Sequence, residues 1–240
     1  MLTIDTLNDM RTQLLENINN EDFDDPSATY CDYVIKKIIQ EASIRYTRMG
    51  IDCSPTDMIK ELVQFFVTTK HPYEELTDTK NEISKAEQMG YEVTDEIVKR
   101  MQNIMAINLR GSLGEIAYES ACSNGNLSDE MKEKLYKSLN LETGGRIVYN
   151  ISSILRMLEL NGWLNFSAIK LIMTLYMEHE RHHSIQDIDF IKKSVTVTVD
   201  KLSDVNNIAK YNNQPHEVDA NLHGAFKMVE YAINHFNELF

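Results

Sequence analysis

Two histidines and a glutamate stand at a spacing that could bind a metal ion and catalyse hydrolysis. His179, Glu180 and His183 form an HExxH pattern. On a helix, His179 and His183 lie one turn apart on the same face, where both imidazoles can bind zinc. Glu180 is then placed as the general base that takes a proton from water activated by the zinc. The pattern therefore indicates hydrolysis of peptide or amide bonds.

In its spacing, the run 179–183 resembles the zincin metallopeptidases, and the resemblance covers these five residues. The metzincin subgroup needs a glycine and a third histidine soon afterwards, and residues 185–187 do not provide them. The gluzincin subgroup takes a carboxylate from a second helix. Glu217, which has His216 and His223 nearby in the sequence, is the candidate. The resemblance thus implies a zinc ion held by residues 179, 183 and 217.

The same cluster has interpretations that need no metal. His179, Arg181, His182 and His183 crowd the end of a predicted helix, where positive charge complements the negative end of the helix dipole. His179 and His183 also continue an apolar stripe, which fits core residues with ordinary hydrogen-bond partners. A third interpretation is a pH switch, because neighbouring histidines change charge between about pH 5 and 8. Of these interpretations, we favour the helix end over the zinc site.

Charge limits the classes of partner. The chain carries 37 acidic and 24 basic residues, a formal net charge of −13, and this charge disfavours direct contact with nucleic acid. Two acidic blocks, Glu21 to Asp25 and Glu74 to Glu96, favour instead a partner with a basic surface. An acidic nucleic-acid mimic that inhibits a basic partner is therefore one alternative function.

Cysteine usage and hydropathy bear on the compartment. Cys31, Cys53 and Cys122 are few and widely spaced, which favours a reducing environment. The sequence has no basic leader followed by an apolar segment, and no apolar run approaches the ~18 residues needed to span a bilayer. These features predict a cytoplasmic protein without a membrane partner.

The sequence predicts a mainly α-helical fold. Nine glycines and four prolines leave long intervals without a helix breaker. We expect a bundle of about eight to nine amphipathic helices with little or no β-structure, forming one domain over 1–240. A subdivision near 124–126 would separate an N-terminal part, 1–123, from a C-terminal part, 127–240.

Three segments decide how accurate this prediction is. Ile147 to Leu160 is predicted as one central helix that pairs with Phe166 to His183. The charged segment 73–96 fits a helix or a mobile loop equally well. Residues 194–200 alternate like a strand, but the longer repeat from Ile188 to Ile208 favours a helix.

Taken together, these patterns favour an interaction or regulatory protein that binds another macromolecule, most simply a protein, rather than an enzyme. Twelve methionines and eleven tyrosines supply side chains suited to a helical interface or a homodimer. The first alternative is the zinc-dependent hydrolase with Glu180 as its catalytic base. Zinc is the only cofactor that the sequence suggests.

Overall fold

The structure is a computed structural model that describes residues 2–49, 54–88, 90, 92–124, 127–197 and 205–240. The first half contains α1 (Ile4–Asn19), α2 (Asp25–Met49), α3 (Pro55–Thr69), β1 (Glu74–Thr77), α4 (Thr79–Gln88), α5 (Asp95–Asn103), β2 (Ala106–Arg110) and α6 (Ser112–Asn124). The second half contains α7 (Asp129–Ser138), β3 (Gly145–Asn150), α8 (Ile151–Leu160), α9 (Phe166–His183), α10 (Ile188–Ser194), α11 (Val205–Asn212), α12 (Pro215–Asn234) and α13 (Phe236–Leu239).

The prediction of a mainly helical fold is confirmed, and the predicted number of helices is wrong. The described residues form thirteen α-helices rather than eight to nine, and a three-stranded sheet accompanies them. The sheet has the order β1-β3-β2, with β1 parallel and β2 antiparallel to β3. Short helices and short strands leave weak periodic signals in the sequence. The prediction therefore merged some short helices into longer ones and missed the strands.

The central strand replaces the first part of a predicted helix. Residues 147–150 belong to β3, and only residues 151–160 form the helix α8. All six residues of β3 are buried, so the strand lacks the alternation of polar and apolar residues by which a half-exposed strand is recognised. Asn150 ends the strand and begins the helix, because its side chain accepts a hydrogen bond from Ser153 N at 3.3 Å.

The two ambiguous segments are also resolved in part. Residues 73–96 contain β1 and α4, so the segment is neither one helix nor one loop. The predicted long helix over 188–208 is wrong, because α10 ends at Ser194 and residues 195–197 are not helical. Gln214 Oε1 accepts hydrogen bonds from the backbone amides of Thr196 and Val197, which favours a non-helical path. Residues 198–204 lie outside the described residues.

Strands from both sides of the predicted boundary share the one sheet. β1 and β2 precede residue 124 and β3 follows residue 127. The predicted turn itself lies mostly outside the described residues, as does Cys53. Cys31 and Cys122 carry free thiols.

Helices α9 and α12 form the centre of the molecule. α9 buries residues on all sides, including Ile169, Leu171 and Met173, and it packs against α12, α3, α2 and β2. α12 contributes Leu222 and Met228 to the same core and also packs against α1 and α2. Within the described ranges, no helix is both long and apolar enough to cross a membrane.

Candidate metal centre

The end of α9 places two imidazoles side by side. His179 and His183 lie one helical turn apart, and α9 ends at His183. Their Nε2 atoms are 3.0 Å apart and their rings meet edge to face, with centroids 4.5 Å apart. The side chains are 12% and 9% exposed, so both face the interior.

The first turn of α12 brings Glu217 to these histidines. Its Oε2 lies 3.4 Å from His179 Nε2 and 3.5 Å from His183 Nε2. Pro215 in the first helical turn fixes where α12 begins, and Glu217 follows two residues later. The carboxylate is 6% exposed and also lies 3.4 Å from His216 Nε2. Residues separated by more than thirty positions in the sequence thus meet at one buried point.

The separations between these donor atoms suit a tetrahedral zinc ion. With Zn–N bonds of about 2.0–2.1 Å and Zn–O bonds of about 2.0–2.2 Å, tetrahedral ligand atoms lie roughly 3.3 Å apart. The three observed separations are 3.0, 3.4 and 3.5 Å. In addition, His179 Nδ1 is buried without a hydrogen-bond partner, so this histidine is not an ordinary core residue with both ring nitrogens satisfied.

Gln186 fixes the orientation of one candidate ligand. Its Oε1 lies 2.6 Å from His183 Nδ1, while its Nε2 donates to His216 O at 2.8 Å and to Asp219 Oδ2 at 2.7 Å. These two acceptors fix which end of the amide faces His183. His183 Nδ1 therefore donates to Gln186, and Nε2 is left to face Glu217, as in metal sites where an outer partner orients the imidazole.

The charges of the cluster favour a carboxylate beside imidazolium in the metal-free protein. Burial alone would raise the pKa of Glu217, but hydrogen bonds from His179, His183 and His216 hold that pKa well below its usual range. Burial likewise opposes ionisation of His183, yet Glu217 raises the pKa of His183 to about 9. A divalent cation would take the place of this proton, because metal binding requires a neutral imidazole.

Glu180 lies beside the cluster. Its carboxyl is 10% exposed, and Oε1 is 4.0 Å from His179 Nε2. Burial and the negative charge of Glu217 raise the pKa of Glu180, against the opposing effect of the two histidines. A raised pKa makes this carboxylate a stronger base than an exposed glutamate, which suits proton transfer.

A cavity of about 1350 Å³ opens onto the cluster. His179, Glu180, His183 and Glu217 all line it, together with many apolar side chains and the first three residues of β2. Tyr211 lines it too, and burial followed by the charge of Glu217 raises the pKa of this phenol, so it remains a neutral donor.

The other basic residues near the end of α9 have separate partners. Arg181 donates to both oxygens of buried Glu74, at 2.7 and 2.8 Å, and to Glu178 at 2.6 Å. His182 Nε2 lies 2.8 Å from Asp219 Oδ2. Glu74 is fully buried and so contributes nothing to an exposed acidic surface, although it begins one of the acidic blocks. Arg181 and His182 thus pair with carboxylate groups outside the cluster of His179, His183 and Glu217.

Sequence reasoning named His179, Glu180, His183 and Glu217, and the structure brings all four together. His216 contacts Glu217, whereas His223 lies with His182 and Asp219 in a second group. Gln186 and Tyr211 were missed, because a single glutamine or tyrosine carries no spacing signal of its own. Comparisons with protein-family models, with curated proteins and with solved structures each found no match.

Proposed function

We propose that this protein is a zinc-dependent hydrolase of peptide or amide bonds. The observation that supports it most is the position of Glu217 Oε2, 3.4 and 3.5 Å from the two histidines of the HExxH pattern. That pattern alone has two ligands, and a catalytic zinc site has three protein ligands and an open position. A buried carboxylate from a second helix supplies the third.

The residues have distinct roles in this proposal. His179, His183 and Glu217 would hold the zinc ion, which when bound would lower the pKa of water and polarise a carbonyl group. Glu180 accepts the proton of the attacking water and then delivers it to the leaving nitrogen. Tyr211 stays protonated and can donate a hydrogen bond to the negative charge that develops on the carbonyl oxygen.

The strand β2 suggests a peptide substrate. It is an edge strand, paired only with β3 in the sheet. Asn150 N donates to Met105 O, whereas Ile147 N donates to Tyr73 O on the β1 side. Hydrogen bonding alternates along an antiparallel pair. The backbone N–H and C=O groups of the odd-numbered residues of β2 therefore point towards β3, and those of the even-numbered residues point away from it.

The outward-facing backbone of β2 borders the candidate site. Ala106 and Asn108 are even-numbered, and both line the cavity. The side chain of Asn108 donates to Glu180 O at 2.6 Å, which holds this strand against the part of α9 that carries the candidate base. An extended peptide can add to such an edge through main-chain hydrogen bonds, with its carbonyl groups near Glu180.

A peptide-cleavage assay tests the proposal. Zinc-loaded protein is incubated with a mixed peptide library, and new termini are identified by mass spectrometry. Glu180→Gln is expected to retain zinc and to lose about 10²–10⁴-fold in cleavage rate, because it removes the general base. Glu159→Gln, an exposed position on α8, is the matched control and is expected to cleave normally. Equal cleavage by Glu180→Gln and the parent protein would rule out this mechanism.

The interaction protein favoured by composition remains a second proposal. The observation that supports it is an apolar stripe on α3, where Ile59, Val63 and Val67 are 45%, 39% and 60% exposed at successive helical turns. If this stripe binds another chain or a second copy, Val63→Asp will abolish the complex in size-exclusion chromatography.

The nucleic-acid mimic stays a prediction. Salt-sensitive binding to a basic partner would support it.

A further inference from the structure

A second cluster of ligand-type side chains lies beside the first. His182 on α9 meets Asp219 and His223, which are one turn apart on α12. His182 Nε2 is 2.8 Å from Asp219 Oδ2, and His223 Nε2 is 3.5 Å from Asp219 Oδ1. We infer that these three residues form a second, exchangeable binding site for a divalent transition metal.

Three donor atoms of this cluster lie close together. The imidazole rings of His182 and His223 stack nearly parallel, with centroids 3.6 Å apart and an interplanar angle of 16°. One donor atom from each of the three residues lies within 4.8 Å of the others. Each Nε2 faces an oxygen of the same carboxylate, and because the rings are stacked, one imidazole must rotate for both nitrogens to face a common ion.

The donor set indicates the class of metal. Two imidazoles and one carboxylate suit zinc, copper, nickel or iron, whereas magnesium and calcium prefer oxygen ligands alone. The site therefore binds the same class of ion as the first cluster without sharing a ligand with it. The inference does not depend on hydrolysis, since His182, Asp219 and His223 hold no role in the proposed reaction.

Exposure and charge predict that this second site binds less tightly and exchanges faster. The side chain of His223 is 33% exposed, against 12% for His179, 9% for His183 and 6% for Glu217. Lys227 lies one turn beyond His223 and adds positive charge, part of which its ion pair with Glu230 at 2.8 Å offsets. Water can therefore reach the ion, and the local field opposes a second cation more than at the first site.

Zinc titration of the chelator-treated protein tests the inference. Isothermal calorimetry is expected to show two equivalents of zinc, one tight and one weaker. His223→Gln is expected to weaken the second equivalent more than about 10-fold, since removing even an outer-shell partner costs that much, and to leave the tight equivalent unchanged. His71→Gln, an exposed histidine outside both clusters, is the matched control and should retain both equivalents.

A further variant separates this inference from the proposed function. His179→Gln is expected to remove the tight equivalent and to keep the weaker one. If the protein binds a single equivalent that only His223→Gln removes, the second site stands and the hydrolase proposal fails. Saturation of the parent protein at a single equivalent that His223→Gln retains, or undiminished binding of two equivalents by His223→Gln, would overturn the inference.

Discussion

Among the individual residues, Gln186 links the candidate ligands to the protein around them. It accepts a hydrogen bond from His183 and donates two of its own, so it fixes the imidazole that faces Glu217. Gln186→Ala should weaken the tight zinc equivalent by about 10–100-fold, as losses of outer-shell partners do. Competition with a chromophoric chelator measures this change. Gln64→Ala, at an exposed position on α3, should bind zinc like the parent, and an unchanged affinity in Gln186→Ala would contradict the assigned role.

The protonation of His183 predicts how the stability of the metal-free protein depends on pH. Burial opposes ionisation of His183, but Glu217 raises its pKa from the ordinary value of 6.5 to about 9. A raised pKa contributes stability that is fully present below the unfolded value and is lost as pH rises through the folded value. The free energy of unfolding of the metal-free protein should therefore fall between about pH 6.5 and 9.

Urea unfolding on either side of this pH window checks the prediction. Zinc-loaded protein should lack this loss, because its His183 is already deprotonated. His183→Gln should lack it too, while His71→Gln should keep it. A fall of the same size in His183→Gln would assign the pH dependence to another group.

The sequence named the four residues that the structure brings together, although it favoured the helix-end interpretation over a zinc site. The HExxH spacing is a local pattern, so His179, Glu180 and His183 could be found without a fold. Glu217 was named only because histidines flank it and a second helix was expected there. Tyr211 and Gln186 could not be found, because their relevance comes from the approach of α11 to the cavity and of the turn after α9 to His183.

Among the elements, the close contact between α9 and α12 sets the ligand separations. Gly224 on α12 faces α9, where an added Cβ would lie 2.7 Å from Leu175 O and 3.3 Å from His179 Cβ. Since real Cβ atoms do not approach backbone oxygens so closely, Gly224→Ala must push the two helices apart. The variant should lower the free energy of unfolding by about 1–3 kcal/mol, as overpacked cores do, and should also weaken zinc binding.

Thermal unfolding and zinc titration of the same Gly224→Ala preparation check both parts of this prediction. Ala86→Gly, at a half-buried position on α4 away from the cavity, is a control for the general effect of exchanging glycine and alanine in a helix. That control should cost about 0.5–1 kcal/mol of stability and leave zinc affinity unchanged. A folded Gly224→Ala protein with full stability and full zinc affinity would show that the helices do not set the site.

The helical class could be predicted from the sequence, whereas the sheet could not. Amphipathic periodicity and capping residues, such as Ser54 before α3 and Ser128 before α7, are local signals. The sheet could not be predicted, because β3 is buried on both faces and its pairing with β1 and β2 is decided by residues far away in the sequence. The edge strand beside the cavity, on which the peptide proposal depends, is a consequence of that tertiary pairing.

For the molecule as a whole, metal binding should stabilise the fold. The candidate ligands join α9 and α12, the two central helices, so an ion bound there stabilises the folded state alone. Zinc at about 100 times its dissociation constant adds about 2.7 kcal/mol, which corresponds to roughly 5–10 °C in melting temperature for a chain of this size. Differential scanning calorimetry with zinc and with EDTA measures the difference. Magnesium should give no comparable shift, and an equal shift with magnesium would indicate general cation binding to an acidic protein.

The position of zinc in a crystal of the protein tests the proposed metal centre directly. Anomalous diffraction data collected at the zinc absorption edge, from crystals grown with zinc, should show a peak about 2.0–2.2 Å from His179 Nε2, His183 Nε2 and an oxygen of Glu217. Glu180 should lie beside that peak without being one of its ligands. Ordered, zinc-free side chains at these three positions, in a crystal saturated with zinc, would contradict the account.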